Sequence, residues 1–255
     1  MSDSVAVQSV GEIVDSAREY ARRQIAAFVR RLQTRQQGQP LSARVKLTAS
    51  TRSSTRLPVL AQANLYIGEQ PVRAQVAAAF VHEASQALRA RLGEQIARLT
   101  NPDRPRPWPT GGVELEFGCT VPVGQRKIVR RKSYRLTWCT PDHAALTMDV
   151  MDYDCHLFVD ACTGQDSLIY RVGPTGYRLS RLVPLPPPPA PVTPLTIDPR
   201  PVPQLTAEEA VARLDSTELP YRFFRDAATG RGTVLYRRYD GHYGLITTDG
   251  TSGGQ

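Results

Sequence analysis

The sequence lacks long hydrophobic runs, a disulfide framework and a basic leader. Its longest fully apolar stretch runs only from Val76 to Val81, far below the roughly 20 residues of a membrane-spanning helix. Four cysteines in 255 residues are too few for a disulfide-stabilised secreted domain and fit a reducing compartment. The first ten residues hold an acid and no base, which predicts that no secretory signal is present. We therefore expect a soluble, cytoplasmic protein.

The chain also lacks the short motifs of common enzymes. It contains no G-x-S-x-G, no P-loop and no H-E-x-x-H, which excludes the usual hydrolase and nucleotide-binding signatures. The segment Gly230-Arg-Gly232 has neither the third glycine nor the following helix of a dinucleotide fingerprint. We expect no catalytic residue and predict that the protein is not an enzyme.

A metal site is the one chemical alternative that the side chains offer. Its candidate ligands are Cys155, His156, Cys162 and His143. No C-x-x-C pair exists, although such pairs are typical of zinc sites. The second copy of the repeat described below has Tyr221, Arg222 and Ala228 near the equivalent positions. Packing or surface thiols are therefore favoured over zinc, and neither a metal nor a cofactor is expected.

Positive charge is abundant and concentrated near the N-terminus. The formal net charge is +8; residues 1–100 hold 14 Lys and Arg against 7 Asp and Glu, a net of +7. A basic field confined to one domain attracts polyanions, and nucleic acid is the commonest, bound in a salt-dependent way. Surface arginines that merely aid solubility are the alternative. Charge favours a nucleic-acid partner.

The first hundred residues predict a β-α-β-β-β-α domain. Apolar residues recur at helical spacing from Ile13 to Leu32 and again in a helix from about Phe80 to Leu99. Ala43, Val45 and Leu47 alternate with polar residues in a strand, and a hairpin turns around residues 68–70. Two helices should pack on one face of a sheet.

Basic residues in this domain lie off the apolar faces. Arg31 lies off the apolar stripe of the first helix, Arg98 lies on the last helix, and the polar loop of residues 50–56 can donate hydrogen bonds to phosphates. Any single arginine is compatible with an ordinary solvated surface residue, so only the collective excess indicates RNA contact. Helices over a sheet suit recognition of folded RNA by shape and phosphate position.

Proline marks the domain boundaries. Residues 101–109 contain four prolines, and ten more lie between Pro184 and Pro203; such segments favour stiff, extended linkers. A spacer is favoured over a docking site for a proline-reading domain. The predicted organisation is a basic domain (1–100), a linker (101–125), a first module (126–183), a proline-rich spacer (184–203), a second module (204–250) and a tail (251–255).

The two modules are copies of each other. Residues 140–179 align with residues 206–245 at a constant offset of 66, with 12 identities in 40 positions and no gap. Each copy reads as a short strand, a helix and a meander of three strands, and Thr206 with Glu209 predicts a capping box. Modules of this size bury little surface alone, so pairing is expected, either between the copies or between chains. The fold class is therefore α+β, with two small tandem β-α-β-β-β modules after the N-terminal domain.

Several segments resemble a known family. The N-terminal domain contains VKL in its second strand, AQANLYIGEQPVRAQVAA in the hairpin and RLGEQIARL in the last helix. The C-terminal part contains IVRRKSYRL and, in the second copy, YRFFRDAATGRGTVLYRRYDGHYGLI. These segments resemble the N-terminal domain and the long-form C-terminal domain of ribosome hibernation promoting factors, the ribosome-associated translation inhibitors. The resemblance covers residues 5–100 and 126–248 and is strongest to actinobacterial, dormancy-associated members.

The resemblance implies a function. In the family, the N-terminal domain lies in the decoding channel of the small ribosomal subunit, contacts rRNA and blocks mRNA and the A- and P-site tRNAs, which preserves idle ribosomes under stress or dormancy. Neither a membrane nor DNA is implied as a partner. Carried onto this chain, the rRNA-binding residues are Arg18, Arg22, Arg30, Arg44, Lys46, Arg73, Arg89 and Arg91. The residues expected to pair the modules are Phe158, Tyr170, Tyr177, Phe223, Phe224, Tyr236 and Tyr243.

The chain departs from the family by carrying two C-terminal copies where the usual long form has one. In the family this domain pairs between chains and can join two ribosomes. We hypothesise that the copies here pair within one chain, although a homodimer stays open. The cluster Arg126, Lys127, Arg130, Arg131, Lys132 and Arg135 predicts either a further rRNA contact or a strand edge guarded by charge. The alternative function is a protein–protein adaptor that uses the duplicated modules and the proline-rich spacer.

Overall fold

The computed structural model describes residues 5–35, 41–49, 58–101, 121–173, 176–186, 191–217, 219–238 and 240–249. The chain forms two units: residues 1–104 with 149–153, called here the N-terminal unit, and residues 105–148 with 154–255, the C-terminal unit. None of the described helices is long and apolar enough to span a membrane. The predicted basic loop of residues 50–56 and most of the first linker lie outside the described residues.

The N-terminal unit has the predicted β-α-β-β-β-α order. Its elements are β1 (Val5–Val10), α1 (Asp15–Arg35), β2 (Leu41–Ala49), β3 (Val59–Ile67), β4 (Gln70–Ala78) and α2 (Val81–Thr100). The strands lie side by side in the order β1-β2-β3-β4. β1 runs parallel to β2, and the other pairs are antiparallel. The prediction of the hairpin between β3 and β4 is confirmed.

Strand alternation separates a covered face of this sheet from an open one. The strands supply buried residues at every second position, and both helices add their apolar stripes to the same core. That core includes Ala43, Val45, Leu47, Ala61, Ala63, Leu65, Val72, Ala74, Ile25, Val29, Leu88 and Leu92. Full burial of each valine, leucine or isoleucine contributes about 1.5–3 kcal/mol. The residues between them on β2, including Arg44 and Lys46, are exposed.

The C-terminal unit repeats one arrangement twice. Its first copy contains β5 (Ile128–Tyr134), β6 (Trp138–Cys139), α3 (Pro141–Val150), β7 (Cys155–Asp160), β8 (Asp166–Val172) and β9 (Gly176–Arg181). Its second copy contains β10 (Leu195–Ile197), β11 (Gln204–Leu205), α4 (Ala207–Asp215), β12 (Tyr221–Asp226), β13 (Gly232–Arg237) and β14 (Tyr243–Thr248). The predicted capping box of α4 is present, with Thr206 Oγ1 accepting from the Glu209 N–H at 3.2 Å.

Each copy donates its leading strand to the sheet of the other. The sheets have the orders β10-β9-β8-β7-β6 and β11-β12-β13-β14-β5. β5 therefore pairs in parallel with β14 of the second copy, and β10 pairs in parallel with β9 of the first. This exchange differs from the sequence interpretation, in which residues 184–203 formed only a proline-rich spacer. Residues 195–197 are instead a strand, because Leu195 and Ile197 can extend the sheet next to β9.

The two sheets share a hydrophobic core. It joins Leu136, Leu157, Val159 and Leu168 of the first copy to Phe223 and Val234 of the second. The core residues of both copies belong to the same chain and to the same compact unit. Each copy thus buries the outer face of the other, which supplies the burial that a module of about 50 residues lacks alone.

Candidate nucleic-acid interface

The open face of the N-terminal sheet carries two rows of polar side chains. Across β2, β3 and β4, Arg44 lies beside Asn64, which lies beside Arg73. The neighbouring row contains Lys46, Gln62 and Gln75 in the same order.

The cations of β2 are available for a ligand. Arg44 and Lys46 are exposed, and their side chains form no ion pair with any described residue. Cations without an internal counter-ion attract phosphates. Amides beside them can hydrogen-bond to sugars and bases, so this face has the chemistry of an RNA-binding surface.

The predicted cations of α1 differ in their surroundings. Arg18 pairs with Asp15 at 2.8 Å and Arg22 pairs with Glu19 at 2.8 Å. Hydrogen bonding from Arg22 lowers the pKa of Glu19, although burial opposes this effect. Arg30 is exposed and forms no ion pair within the described part of the chain. Exposed pairs contribute little to stability, so a phosphate can replace the carboxylates at small cost.

Arg73 and Arg91 are occupied within the N-terminal unit by residues 151–153. Nη1 of Arg73 donates to the carbonyls of Met151 and Asp152, each at 3.2 Å, and the guanidinium lies 5.2 Å from the Tyr153 ring centre. Nη2 of Arg91 donates to the Asp152 carboxylate at 2.8 Å.

This arrangement differs from the expectation that both arginines face RNA freely. Burial lowers the pKa of Arg91, but the carboxylates of Asp152 and Glu94 outweigh burial and raise that pKa. Asp152 also accepts from the backbone N–H of Gln75 at 3.1 Å, on β4. In this structure Arg73 and Arg91 hold the segment around Asp152 against the sheet, and a phosphate would have to displace it.

Arg89 links the two N-terminal helices. Its Nη1 donates to Oε1 of Gln24 on α1 at 3.3 Å, and its side chain is partly buried. Of the eight predicted rRNA-binding residues, Arg30, Arg44 and Lys46 are thus exposed without an acidic partner among the described residues.

Sequence reasoning missed another member of this surface. Tyr66 is 48% exposed and follows Gln62 and Asn64 on β3. The alternation of VLAQANLYI predicted the buried face of β3, and the same alternation places these polar residues on the opposite face. An exposed aromatic ring beside cations can stack on a base.

The predicted pairing residues divide between two environments. Tyr170 packs against the shared core and meets Tyr221 of the second copy edge to face, with ring centres 6.0 Å apart. Its hydroxyl donates to Asp198 at 2.7 Å. Phe223 is a buried member of the same core.

The other predicted pairing residues lie elsewhere. Phe224 and Tyr243 pack with Ala210 and Leu214 of α4, in the core of the second copy itself. Successive strand residues point to opposite faces, so Phe223 and Phe224 cannot both meet the other sheet. Phe158 is fully buried at the position equivalent to Phe224. Tyr236 covers Gly244 of the neighbouring strand, and Tyr177 pairs with Leu195 of β10.

A charged contact crosses the junction of the copies. Arg231 donates to both carboxylate oxygens of Asp166, from Nε at 2.7 Å and from Nη2 at 2.9 Å. The backbone N–H of Gly232 donates to the same carboxylate at 2.8 Å. The Asp166 side chain is only 4% exposed, so these bonds form largely out of contact with water.

The candidate metal ligands do not form a metal-binding group. In the described ranges, no three His, Cys, Asp or Glu side chains are placed to hold an ion. Cys139 and Cys155 are free thiols. Burial, with a smaller effect of Asp160, raises the pKa of Cys139 to about 11, and burial also raises that of Cys155.

Comparison with known proteins identifies the family. Residues 124–179 and 198–245 match the family described as Sigma 54 modulation/S30EA ribosomal protein C terminus. The dormancy associated translation inhibitor of Mycobacterium tuberculosis, strain CDC 1551 / Oshkosh, is 44% identical over 216 residues, which cover 82% of this chain and 77% of the relative. This chain belongs to the long-form ribosome hibernation promoting factors.

Two further proteins are similar to parts of this chain. The protein with the same description from strain ATCC 25618 / H37Rv shows the same 44% identity, over 82% of this chain and 77% of its own length. The N-terminal domain of Protein Y from Thermus thermophilus is 22% identical, with a TM-score of 0.29, over 37% of this chain and 94% of that one. In this hibernation factor the two matched C-terminal segments correspond to the two copies of the C-terminal unit.

Proposed function

We propose that this protein inhibits translation by binding the small ribosomal subunit at the decoding channel. The N-terminal unit occupies the path of mRNA and of the A- and P-site tRNAs, and the idle ribosome is preserved under stress or dormancy. The proposal is supported by the 44% identity to proteins described as dormancy associated translation inhibitors. It is also supported by the exposed cations of the open sheet face, which match a phosphate-rich partner.

The main rRNA-binding surface is the open face around Arg44 and Lys46, and Arg30 of α1 is a further exposed cation on the helical side of the sheet. These side chains need no rearrangement to meet phosphate, because they have no acidic partner among the described residues. Arg18, Arg22 and Arg89 contribute after they release Asp15, Glu19 and Gln24, respectively. Arg73 and Arg91 contribute only if Asp152 moves away.

We further propose that the copies pair within one chain and that the protein silences single ribosomes. The support is the exchange of β5 and β10 between the two sheets together with their shared core. A surface that another chain would need for pairing is already covered in this arrangement. The protein is then a monomer of 28.2 kDa.

Sucrose-gradient sedimentation with vacant ribosomes tests both statements. We expect the full chain to migrate with small subunits or single ribosomes, in a salt-sensitive manner, without a disome peak. A disome peak would support ribosome binding but would contradict pairing of the copies within one chain. Protein that stays at the top of a low-salt gradient would contradict ribosome binding and favour the adaptor function.

A further inference from the structure

The C-terminal unit carries a basic strand that the N-terminal surface does not include. β5 is the last strand of its sheet, bonded only to β14 among the described strands. Residues 126–135 contain six Lys and Arg and no acid, whereas residues 136–255 contain 10 Lys and Arg against 14 Asp and Glu. The net excess of positive charge in residues 126–255 is therefore confined to this strand and its ends.

Four of the six basic side chains at this edge are exposed and form no ion pair with a described residue. They are Lys127, Arg130, Arg131 and Arg135. Arg126 differs, because it pairs with Asp215 at 3.0 Å and both side chains are largely buried. Arg126 thus holds the strand in place, and the four exposed cations can bind a ligand.

The strand is held in place along its length. The Tyr243 N–H donates to the carbonyl of Lys127 at 2.9 Å, and the Asp249 N–H donates to that of Tyr134 at 3.3 Å. Thr247 Oγ1 donates to the carbonyl of Lys132 at 3.3 Å. A strand rises about 3.3 Å per residue, so the exposed cations are spread along a fixed edge roughly 20 Å long.

Exposed aromatic rings accompany the cations. Tyr134 is 39% exposed on β5, and Trp138, four residues later, is 60% exposed. Cations that follow a backbone, with aromatic rings on which bases stack, form the usual platform for single-stranded nucleic acid. A second copy of this chain does not fit, because two such edges would oppose like charges.

We propose that the edge of β5, from Lys127 to Arg135, together with Trp138 of the following strand β6, binds a single-stranded segment of ribosomal RNA. That the RNA is ribosomal rests on the proposed function. The β5 edge adds a second ribosomal contact to that of the N-terminal unit. Because successive strand residues point to opposite faces, Arg130 and Arg131 bind phosphates on the two sides of the edge strand, and Tyr134 and Trp138 stack on bases. The outward backbone groups of the edge strand add hydrogen bonds.

The test compares Arg130→Gln/Arg131→Gln with a matched variant, Arg213→Gln/Arg225→Gln, which removes two exposed arginines from the second copy. Binding to a labelled single-stranded RNA of about twelve nucleotides is measured by fluorescence anisotropy across a salt series. Each lost phosphate contact reduces the slope of log K against log salt by about 0.7. We therefore expect a reduction of about 1.4 and severalfold weaker binding for the edge variant alone.

A second arm uses vacant small subunits and ultraviolet cross-linking. We expect the peptide that contains Tyr134 to carry a nucleotide adduct. Equal affinity and salt slope for the edge variant and the matched variant would overturn the proposal, and so would cross-links from this peptide to ribosomal protein only. Failure of the proposed function looks different, because the wild-type chain would then not bind subunits although the edge still bound the free RNA.

Discussion

Asp166 and Gly232 occupy equivalent positions of the two copies and contact each other directly, at the offset of 66. A Cβ atom at residue 232 would lie 2.7 Å from Cβ of Asp166, so only one copy can carry a side chain at this point. Two first copies would bring Asp166 against Asp166, and like charges at short range repel. The junction therefore favours one first copy with one second copy, which is the combination that a single chain supplies.

Replacement of Asp166 tests the energetic role of this junction. Asp166→Ala removes both bonds from Arg231 and leaves the N–H of Gly232 buried without its acceptor. We expect the free energy of unfolding of the C-terminal unit to fall by about 2–3 kcal/mol. Urea denaturation followed by Trp138 fluorescence measures it. Arg200→Ala is the control, since the Arg200 side chain is 68% exposed and its partner Asp198 keeps the hydrogen bond from Tyr170, so the loss should be less than about 1 kcal/mol.

Replacement of Gly232 tests the close approach itself. In Gly232→Ala the added methyl group would lie 2.7 Å from Cβ of Asp166 and 3.1 Å from the Phe223 ring. Overpacking of this kind costs about 1–3 kcal/mol, again measured by urea denaturation. Gly124→Ala is the matched control, because no heavy atom lies within 4 Å of its added Cβ. Equal stability of the two variants would contradict the close packing of the copies.

Periodicity predicted most of the elements because they bury one face. The alternation around Val45 and the helical stripe around Ile25 each correspond to an element of the N-terminal core. The duplication predicted the order of the C-terminal elements, because each copy repeats the same apolar positions. Local patterns of this kind depend only on neighbours in sequence.

Partners distant in sequence were not predictable in the same way. The pattern of β5 indicates a strand but contains nothing that selects β14 instead of β9. Likewise, Arg73 and Arg91 are separated by about 60–80 residues from Asp152, which binds them. No local pattern indicates this contact, and the family resemblance therefore assigned both arginines to the rRNA-binding set. Tyr66 lies on the same open face, but an uncharged aromatic residue does not contribute to the charge pattern that indicated the RNA surface.

His156 predicts a pH dependence of the C-terminal unit. Burial, with a smaller effect of the charge of His143, lowers the pKa of His156 to about 4, while an unfolded histidine titrates near 6.5. Between these values the unfolded chain binds more protons than the folded chain, so stability falls as the pH falls from about 6.5 to about 4.

The free energy of unfolding that is lost through protonation of His156 should reach about 3 kcal/mol at the acid end of this pH range. His156→Gln should flatten the dependence, which urea denaturation at several pH values measures. His143→Gln, at an exposed position, should keep most of it. An unchanged slope in His156→Gln would contradict the assignment.

Arg44 and Lys46 predict how the N-terminal surface contributes to ribosome binding. Both side chains face outward from β2 and have no acidic partner among the described residues, so each neutralises a phosphate without first losing an internal pair. Arg44→Gln/Lys46→Gln should weaken binding to vacant small subunits about tenfold or more and reduce the salt slope by about 2, close to one for each lost phosphate contact. Quantitative sedimentation across a salt series measures both quantities.

The matched variant is Arg18→Gln/Arg22→Gln, which removes the same charge from α1. These arginines already bind Asp15 and Glu19 at 2.8 Å, so each phosphate contact must replace a carboxylate, and the variant also leaves two acids unpaired near the RNA. A smaller change of the salt slope is expected than for the β2 variant. If the α1 variant lost as much slope as the β2 variant, or more, the main phosphate contacts would lie on the helix instead of the open sheet face.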